Sequence, residues 1–138
     1  MKHRATVICQ RGKHILLVAK EGARWALPGG RQRLDETLAE TAVRELEEET
    51  TLLATEVTYL FLFTGSRTRH SVFVAHIAWD AFPVPTNEIA RCHWVLPEEL
   101  KHLPASVPTK GIAELFSRHA RREGRPTFSQ AINDLSTE

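Results

Sequence analysis

Apolar positions along this chain follow two rhythms, short crowded runs and a helical spacing. "ATVICQ" and "HILLVAKE" are β-branched and apolar runs around a polar "RGK", the pattern of two strands joined as a hairpin. "RWALPGG" predicts a short extended piece that ends in a Pro-Gly-Gly loop. From Asp35 to about Thr50 no Gly or Pro occurs and Ala, Leu, Glu and Arg dominate, which predicts a helix. Asp35 is its expected N-cap, and Glu36 adds negative charge at its N-terminus. "EVTYLFLFTG" and "HSVFVAHIAWD" predict two strands across the polar turn "SRTR", and "CHWVLP" one more. Pro97 opens a helical turn at "PEEL", and "TKGIAELFSRHARREG" predicts a second amphipathic helix with Ile112, Leu115 and Phe116 on one side. The tail "RPTFSQAINDLSTE" is weakly patterned and is expected to be partly unordered. The order strands, helix, strands, helix predicts an α/β fold, a mixed sheet flanked by helices, in one domain over residues 1–125 followed by a tail over 126–138.

The first helix carries an oddity. Glu45, Glu47, Glu48 and Glu49 crowd into about one turn, where like charges repel by a few tenths of a kcal/mol per exposed pair. On a wheel of roughly 100° per residue, Leu38, Ala39, Ala42, Val43 and Leu46 share one arc, the expected core stripe. Glu45, Glu48 and Glu49 share another arc bordering it, whereas Glu40 and Glu47 point to solvent. Two carboxylates about 5 Å apart repel by roughly 3 kcal/mol at an effective dielectric near 20. Three at a partly shielded edge either raise each other's pKa or hold a hard divalent cation such as Mg²⁺ or Mn²⁺. A solvated face is the competing reading. Gly29 and Gly30 just before the helix tip the balance, since glycine lets backbone approach a ligand closely.

Composition narrows the setting. A chain of 138 residues suits one domain that buries its own core, and a net charge of +1 gives no case for a nucleic-acid or membrane-surface partner. Cys9 and Cys92 form no CxxC pattern, so two free thiols are expected rather than a disulfide framework. The basic start "MKHR" is not followed by the continuous apolar region of a signal peptide, and no segment approaches 18 apolar residues. A cytoplasmic protein is the expectation.

Gly30, five residues, Glu36, seven residues, then Arg44-Glu45-Leu46-Glu47-Glu48-Glu49-Thr50-Thr51-Leu52 resembles the Nudix box. Gly30, Glu36, Arg44, Glu45, Leu46, Glu48, Glu49 and Leu52 match it, and Thr51 stands where the family has glycine. "WALPGG" before the box and "NEIARCHWVLPEEL" after it are similar to common Nudix surroundings. That glycine lies where the helix ends, so Thr51 predicts an altered turn or strain of about 1–2 kcal/mol.

The resemblance implies an α/β/α sandwich and a metal-dependent pyrophosphohydrolase acting on a nucleoside diphosphate linked to another moiety. Glu45, Glu48, Glu49 and the Gly30 carbonyl would hold Mg²⁺ or Mn²⁺, with Glu36 behind them and Arg44 orienting the glutamates. Glu45 is the expected general base and Glu88, in "PTNEIA", its rival. Arg31, Arg24 and Lys20 are candidate phosphate contacts. Trp94, Phe63 and Phe73 would either stack on a base or pack in the core. His70 and His76 share a strand face but lack a third zinc ligand, and "SRHARREGR" reads as a solvated basic face. Pro or Tyr about 15 residues past the box would suggest ADP-ribose or dinucleoside polyphosphates; Arg67 and Thr68 stand there instead. The small size tilts toward a nucleoside triphosphate over ADP-ribose or a nucleotide sugar. A homodimer is common in the fold. The alternatives are a Nudix-fold sensor without catalysis and a merely structural acidic helix.

Overall fold

Alternation along the first strand decides the architecture. In the computed structural model, which describes residues 1–122, β1 (Lys2–Arg11) sends Ala5, Val7 and Cys9 to one face of a sheet and Ile8 to the other. Both faces are buried, so both must be covered. The helix α1 (Leu38–Thr50) covers the first with Ala42 and Leu46. The helix α2 (Val107–Arg122) covers the second with Ile112, Ala113 and Phe116, joined by Leu100 of a 3-10 turn at Pro97–His102. Each fully buried Leu or Ile stabilises this sandwich by roughly 1.5–3 kcal/mol. The expected α/β/α sandwich with a mixed sheet is the observed fold. The expected tail over 126–138 lies outside the described residues. No helix among the described residues is long and apolar enough to cross a membrane.

The sheet runs β4-β5-β1-β2-β6, with β2 (His14–Lys20), β4 (Ala54–Thr64), β5 (Thr68–Ile77) and β6 (Ile89–Val95). Only β1 and β5 pair in parallel, from Lys2 opposite Thr68 to Gln10 opposite His76. The other edge of β1 is divided. Its C-terminal end pairs with β2 at Gln10–Ile15 and Arg11–His14. Its first half pairs instead with β3 (Gly29–Arg31). The two strands of the hairpin therefore fork, and residues 26–30 fill the fork as a wedge: the Val7 amide donates to Pro28 and the Val18 amide to Ala26, each at 2.8 Å.

Three expectations about the helices need correction. Thr37, not Asp35, caps α1: its hydroxyl accepts from the Glu40 amide at 3.1 Å, and the Glu40 carboxylate accepts from the Thr37 amide at 2.7 Å. This reciprocal pair satisfies two orphan amides, which Asp35 alone would not. The core stripe is also turned. Ala39 and Val43 are exposed, while Thr41 and Thr50 are buried. The inward arc is rotated by about 40° toward Glu45 and Glu49, because the helix packs on the side-chain-free backbone of β3. On α2, Leu115 is exposed and Ala113 takes its place inside.

Candidate active site

Helix α1 is laid against β3 by the two glycines, and the contact is close. A Cβ on Gly30 would lie 2.4 Å from the carboxylate carbon of Glu45. A Cβ on Gly29, whose φ is 151°, would meet the Ala5 carbonyl at 2.2 Å and the Arg4 guanidinium at 2.7 Å. Only glycine fits at Gly29, and at Gly30 a side chain would push the Glu45 carboxylate aside. Glu49 closes the contact by accepting from the Gly29 amide at 3.1 Å.

Arg44 organises the outer side of the cluster. Its guanidinium donates to both oxygens of Glu36 at 2.7 and 3.0 Å, to Glu45 at 2.8 Å, to Glu48 at 3.2 Å and to the Arg31 carbonyl at 3.1 Å. Glu36 also accepts from the Arg33 amide at 3.0 Å and the Thr41 hydroxyl at 2.8 Å. The Arg44 hydrogen bonds, with those from Arg33 and Thr41, hold the Glu36 carboxyl down at about 2. Glu49 lies at the other extreme. Burial, and next to it the Glu45 charge, push its carboxyl up to about 7 against the Gly29 amide and the cations Arg4 and Lys20.

Glu45, Glu48 and Glu49 line one cavity of about 430 Å³ together with Glu88. Hard oxygen donors of this kind suit Mg²⁺ or Mn²⁺. Glu45 and Glu49 each keep one oxygen that accepts no hydrogen bond among the described residues; the second oxygen of Glu48 faces Arg33 at 3.6 Å. Among the described residues no three such side chains already stand at coordinating distance of a common point, so a cation would draw them together against Arg44. The donor set fits the cation; the arginine holds it loosely spread.

Two further cavities continue from the first. A passage of about 170 Å³ shares Glu49 and Ile89 with the carboxylate cavity and is lined by Lys20, Arg24 and Arg4. It shares Arg4, Ala26 and Leu27 with a pocket of about 400 Å³ on the α2 side of the sheet. Lys20 spans the entrance and pairs with Glu88 at 3.0 Å, both side chains mostly exposed.

The sequence-predicted residues thus divide. Gly30, Glu45, Glu48, Glu49 and Glu88 come together, with Glu36 and Arg44 behind them; Lys20 and Arg24 line the passage. The Arg31 side chain is exposed and lines none of the three cavities; its backbone carbonyl serves Arg44 instead. Phe63 packs on Gly111 of α2, and Phe73 and Trp94 pack on the α1 side of the sheet, so all three aromatics are core. His70 hydrogen-bonds Thr6 at 2.8 Å, and no His or Cys cluster forms a metal site among the described residues. Cys9 and Cys92 are free, and burial pushes the Cys9 thiol up to about 12, so it is inert. Arg4, Thr6 and Thr109 were missed. Their meaning depends on long-range pairing of β1 with β5 and on the α2 N-terminus, which no local pattern reveals.

Thr51 takes the left-handed position at the end of α1, φ 66° and ψ 0°, with its amide bonded to the Glu47 carbonyl at 2.8 Å. The turn expected of glycine is kept, and a β-branched residue bears it.

A sheet enclosed by two helices, with a glycine pair pressed on a carboxylate cluster, defines an enzyme domain built to handle cations and phosphates. The NUDIX domain model matches residues 1–116, and the chain belongs to the Nudix family. It is a Nudix hydrolase, of the class acting on phosphoric anhydride bonds. The chain is similar to a protein described as a Nudix hydrolase family member from Chromobacterium violaceum, 28% identical, TM-score 0.78, covering 99% of this chain and 89% of that one. The NUDIX domain of Shewanella oneidensis NrtR, complexed with ADP ribose, shares the fold at 18% identity, TM-score 0.70, covering 83% and 84%. So does a bifunctional NMN adenylyltransferase/ADP ribose pyrophosphatase from Francisella tularensis, complexed with AMP and a Mn ion, at 22% identity, TM-score 0.69, covering 86% and 41%. No curated protein sequence matches the chain significantly.

Proposed function

We propose that the protein is a divalent-metal-dependent pyrophosphohydrolase that cleaves the diphosphate of a nucleoside diphosphate linked to another moiety. A nucleoside triphosphate, giving the monophosphate and pyrophosphate, is the leading substrate; ADP-ribose or a nucleotide sugar is the alternative. The observation that carries this reading is the cavity lined by Glu45, Glu48, Glu49 and Glu88 with a neighbouring cavity lined by Lys20, Arg24 and Arg4. The two together suit a diphosphate set between acidic side chains and cations.

Glu45, Glu48 and Glu49 with the Gly30 carbonyl would hold Mg²⁺ or Mn²⁺. Bound there, the cation supplies charge neutralisation of the diphosphate and a more acidic water. Arg44 keeps Glu45 and Glu48 on one side of the cavity, and Glu36 fixes Arg44. Lys20 and Arg24 meet the phosphates in the passage. Glu45 takes the proton of the attacking water. It is held by Arg44 and only 17% exposed, whereas Glu88 is 76% exposed and tied to an exposed partner, Lys20.

The test is phosphate and pyrophosphate release from a nucleotide panel with Mg²⁺, Mn²⁺ or EDTA. Metal-dependent turnover of one class is the expected result. Nucleotide binding by calorimetry without turnover of any class would make the protein a sensor and end the hydrolase reading of this chain.

A further inference from the structure

The pocket on the α2 side of the sheet sets Arg4, Arg67 and several hydrogen-bonding side chains against an apolar wall of Leu27, Pro108 and Ile112. Arg4 lies at its inner end, largely withdrawn from solvent, and burial lowers its pKa although Glu49 and Glu45 pull the other way. Its Nε donates to the Thr6 hydroxyl at 3.2 Å and one terminal nitrogen reaches the Leu27 carbonyl at 3.5 Å, the limit of a hydrogen bond. The other terminal nitrogen has no acceptor, and no carboxylate lies within 4.0 Å of the guanidinium, among the described residues. A guanidinium drawn out of water costs several kcal/mol unless an anion meets it. Nothing in the described chain does so directly.

The neighbours repeat the theme. Arg67 is a second cation on the pocket wall, and among the described residues no Asp or Glu lines it. Thr6 Oγ1 accepts from Arg4 and is hydrogen-bonded to His70 Nδ1 at 2.8 Å. Burial and the Arg4 charge push His70 down to about 4, so the ring is neutral. The Nε2 atom stands beside Gly65, at the wall. Thr109 accepts from the Leu27 amide at 3.2 Å and from Ser106 at 2.8 Å, which leaves its own proton as a further donor. Among the described residues no Phe, Tyr or Trp lines the pocket, so none of them offers a platform on which a base would stack. Two cations and several neutral donors around one space match a dianion better than a ring or a singly charged carboxylate.

We propose that this pocket receives a phosphate group that the substrate carries beyond the scissile diphosphate, with Arg4 as the residue that selects it. That the phosphate belongs to a substrate rests on the hydrolase reading; that phosphate binds here does not. Titrate isotope-labelled protein in EDTA with inorganic phosphate, with acetate, and with a neutral nucleoside, and follow amide resonances by NMR. Phosphate is expected to shift residues 65–70 saturably, at least tenfold more weakly in Arg4→Met and several-fold more weakly in Arg67→Gln, an exposed position that cannot disturb folding. Glu48→Gln, in the other cavity, is expected to bind phosphate as wild type does. No saturable shift, equal shifts with acetate, or stronger shifts of the same amides with the nucleoside would each overturn the assignment. Turnover of a nucleotide without phosphate binding in the pocket would sink this proposal alone; phosphate binding without any turnover would sink the hydrolase alone.

Discussion

Two arginines flank the same glutamate cluster and live opposite lives. Arg44 is bound on every side: five hydrogen bonds, four of them to the carboxylates of Glu36, Glu45 and Glu48, fix it in place. Arg4, across the cluster, holds one neutral hydroxyl firmly and acts on Glu49 only at a distance. The carboxyls beside them differ too: hydrogen bonds from Arg44 hold Glu36 near 2, whereas burial lifts Glu49 to about 7 despite the Arg4 charge. A satisfied guanidinium serves the scaffold, and an unsatisfied one serves a ligand.

The largest expected effect lies between them. Glu48→Gln should lower metal-dependent turnover by about 10³-fold, since several kcal/mol of charge stabilisation go with the cation. Initial rates at saturating Mg²⁺ check this, and a change under tenfold would remove Glu48 from the cation site. Next comes stability. Arg44→Met should lower the urea unfolding midpoint clearly, because it removes the cation paired with Glu36, Glu45 and Glu48. Arg4→Met should stay within about 1 kcal/mol of wild type, because it removes a poorly paired buried cation. Equal losses would abolish the contrast.

The pH dependence in EDTA sharpens it further. Glu36 is depressed to about 2 from the usual 4.5, so the folded form releases its proton more readily than the unfolded one. Its stabilisation is present above about pH 4.5 and is lost as pH falls toward 2. Glu49 is raised to about 7, so the folded form binds the extra proton between 4.5 and 7, and stability falls as pH rises through that window. Unfolding curves from pH 3 to 8 should flatten at the acid end in Glu36→Gln and at the neutral end in Glu49→Gln. A neutral-range slope that survives Glu49→Gln would assign it to another group. The smallest effect is at the helix end: Thr51→Gly should gain about 1 kcal/mol, since glycine takes the left-handed turn without strain. Thermal melts decide it, and a loss would mean that the Thr51 turn is unstrained.

Much of this was legible in the sequence. The glutamates stood out because their spacing is written along one helix, and the strands because their apolar runs are short and separated by polar turns. The orientation of α1 was harder. A wheel weighs Val43 as inward and Glu49 as only bordering the core stripe, but a helix resting on two glycines can turn its carboxylates in and its valine out. Asp35 looked like a cap because Thr37 with Glu40 was not weighed as a reciprocal pair. Arg4 was unreadable. It sits in a basic start, and its meaning arises only when β1 meets β5 and His70 arrives 64 residues later at Thr6.

The forked hairpin has a consequence for how the enzyme would fail. Residues 26–30 carry the walls of the site, yet the wedge is fastened only by a short ladder of β3 with β1 and by single bonds: Val7 to Pro28, Val18 to Ala26 and back, Leu27 to Thr109 and Gly29 to Glu49. The long ladders of β1 with β5 and β4 with β5 do not depend on it. Slipping the wedge out is therefore a sub-global opening, cheaper than melting the domain. Heat or mild urea would silence the enzyme while its circular dichroism still read as folded, with the Val7 and Val18 amides the first of their strands to exchange with solvent.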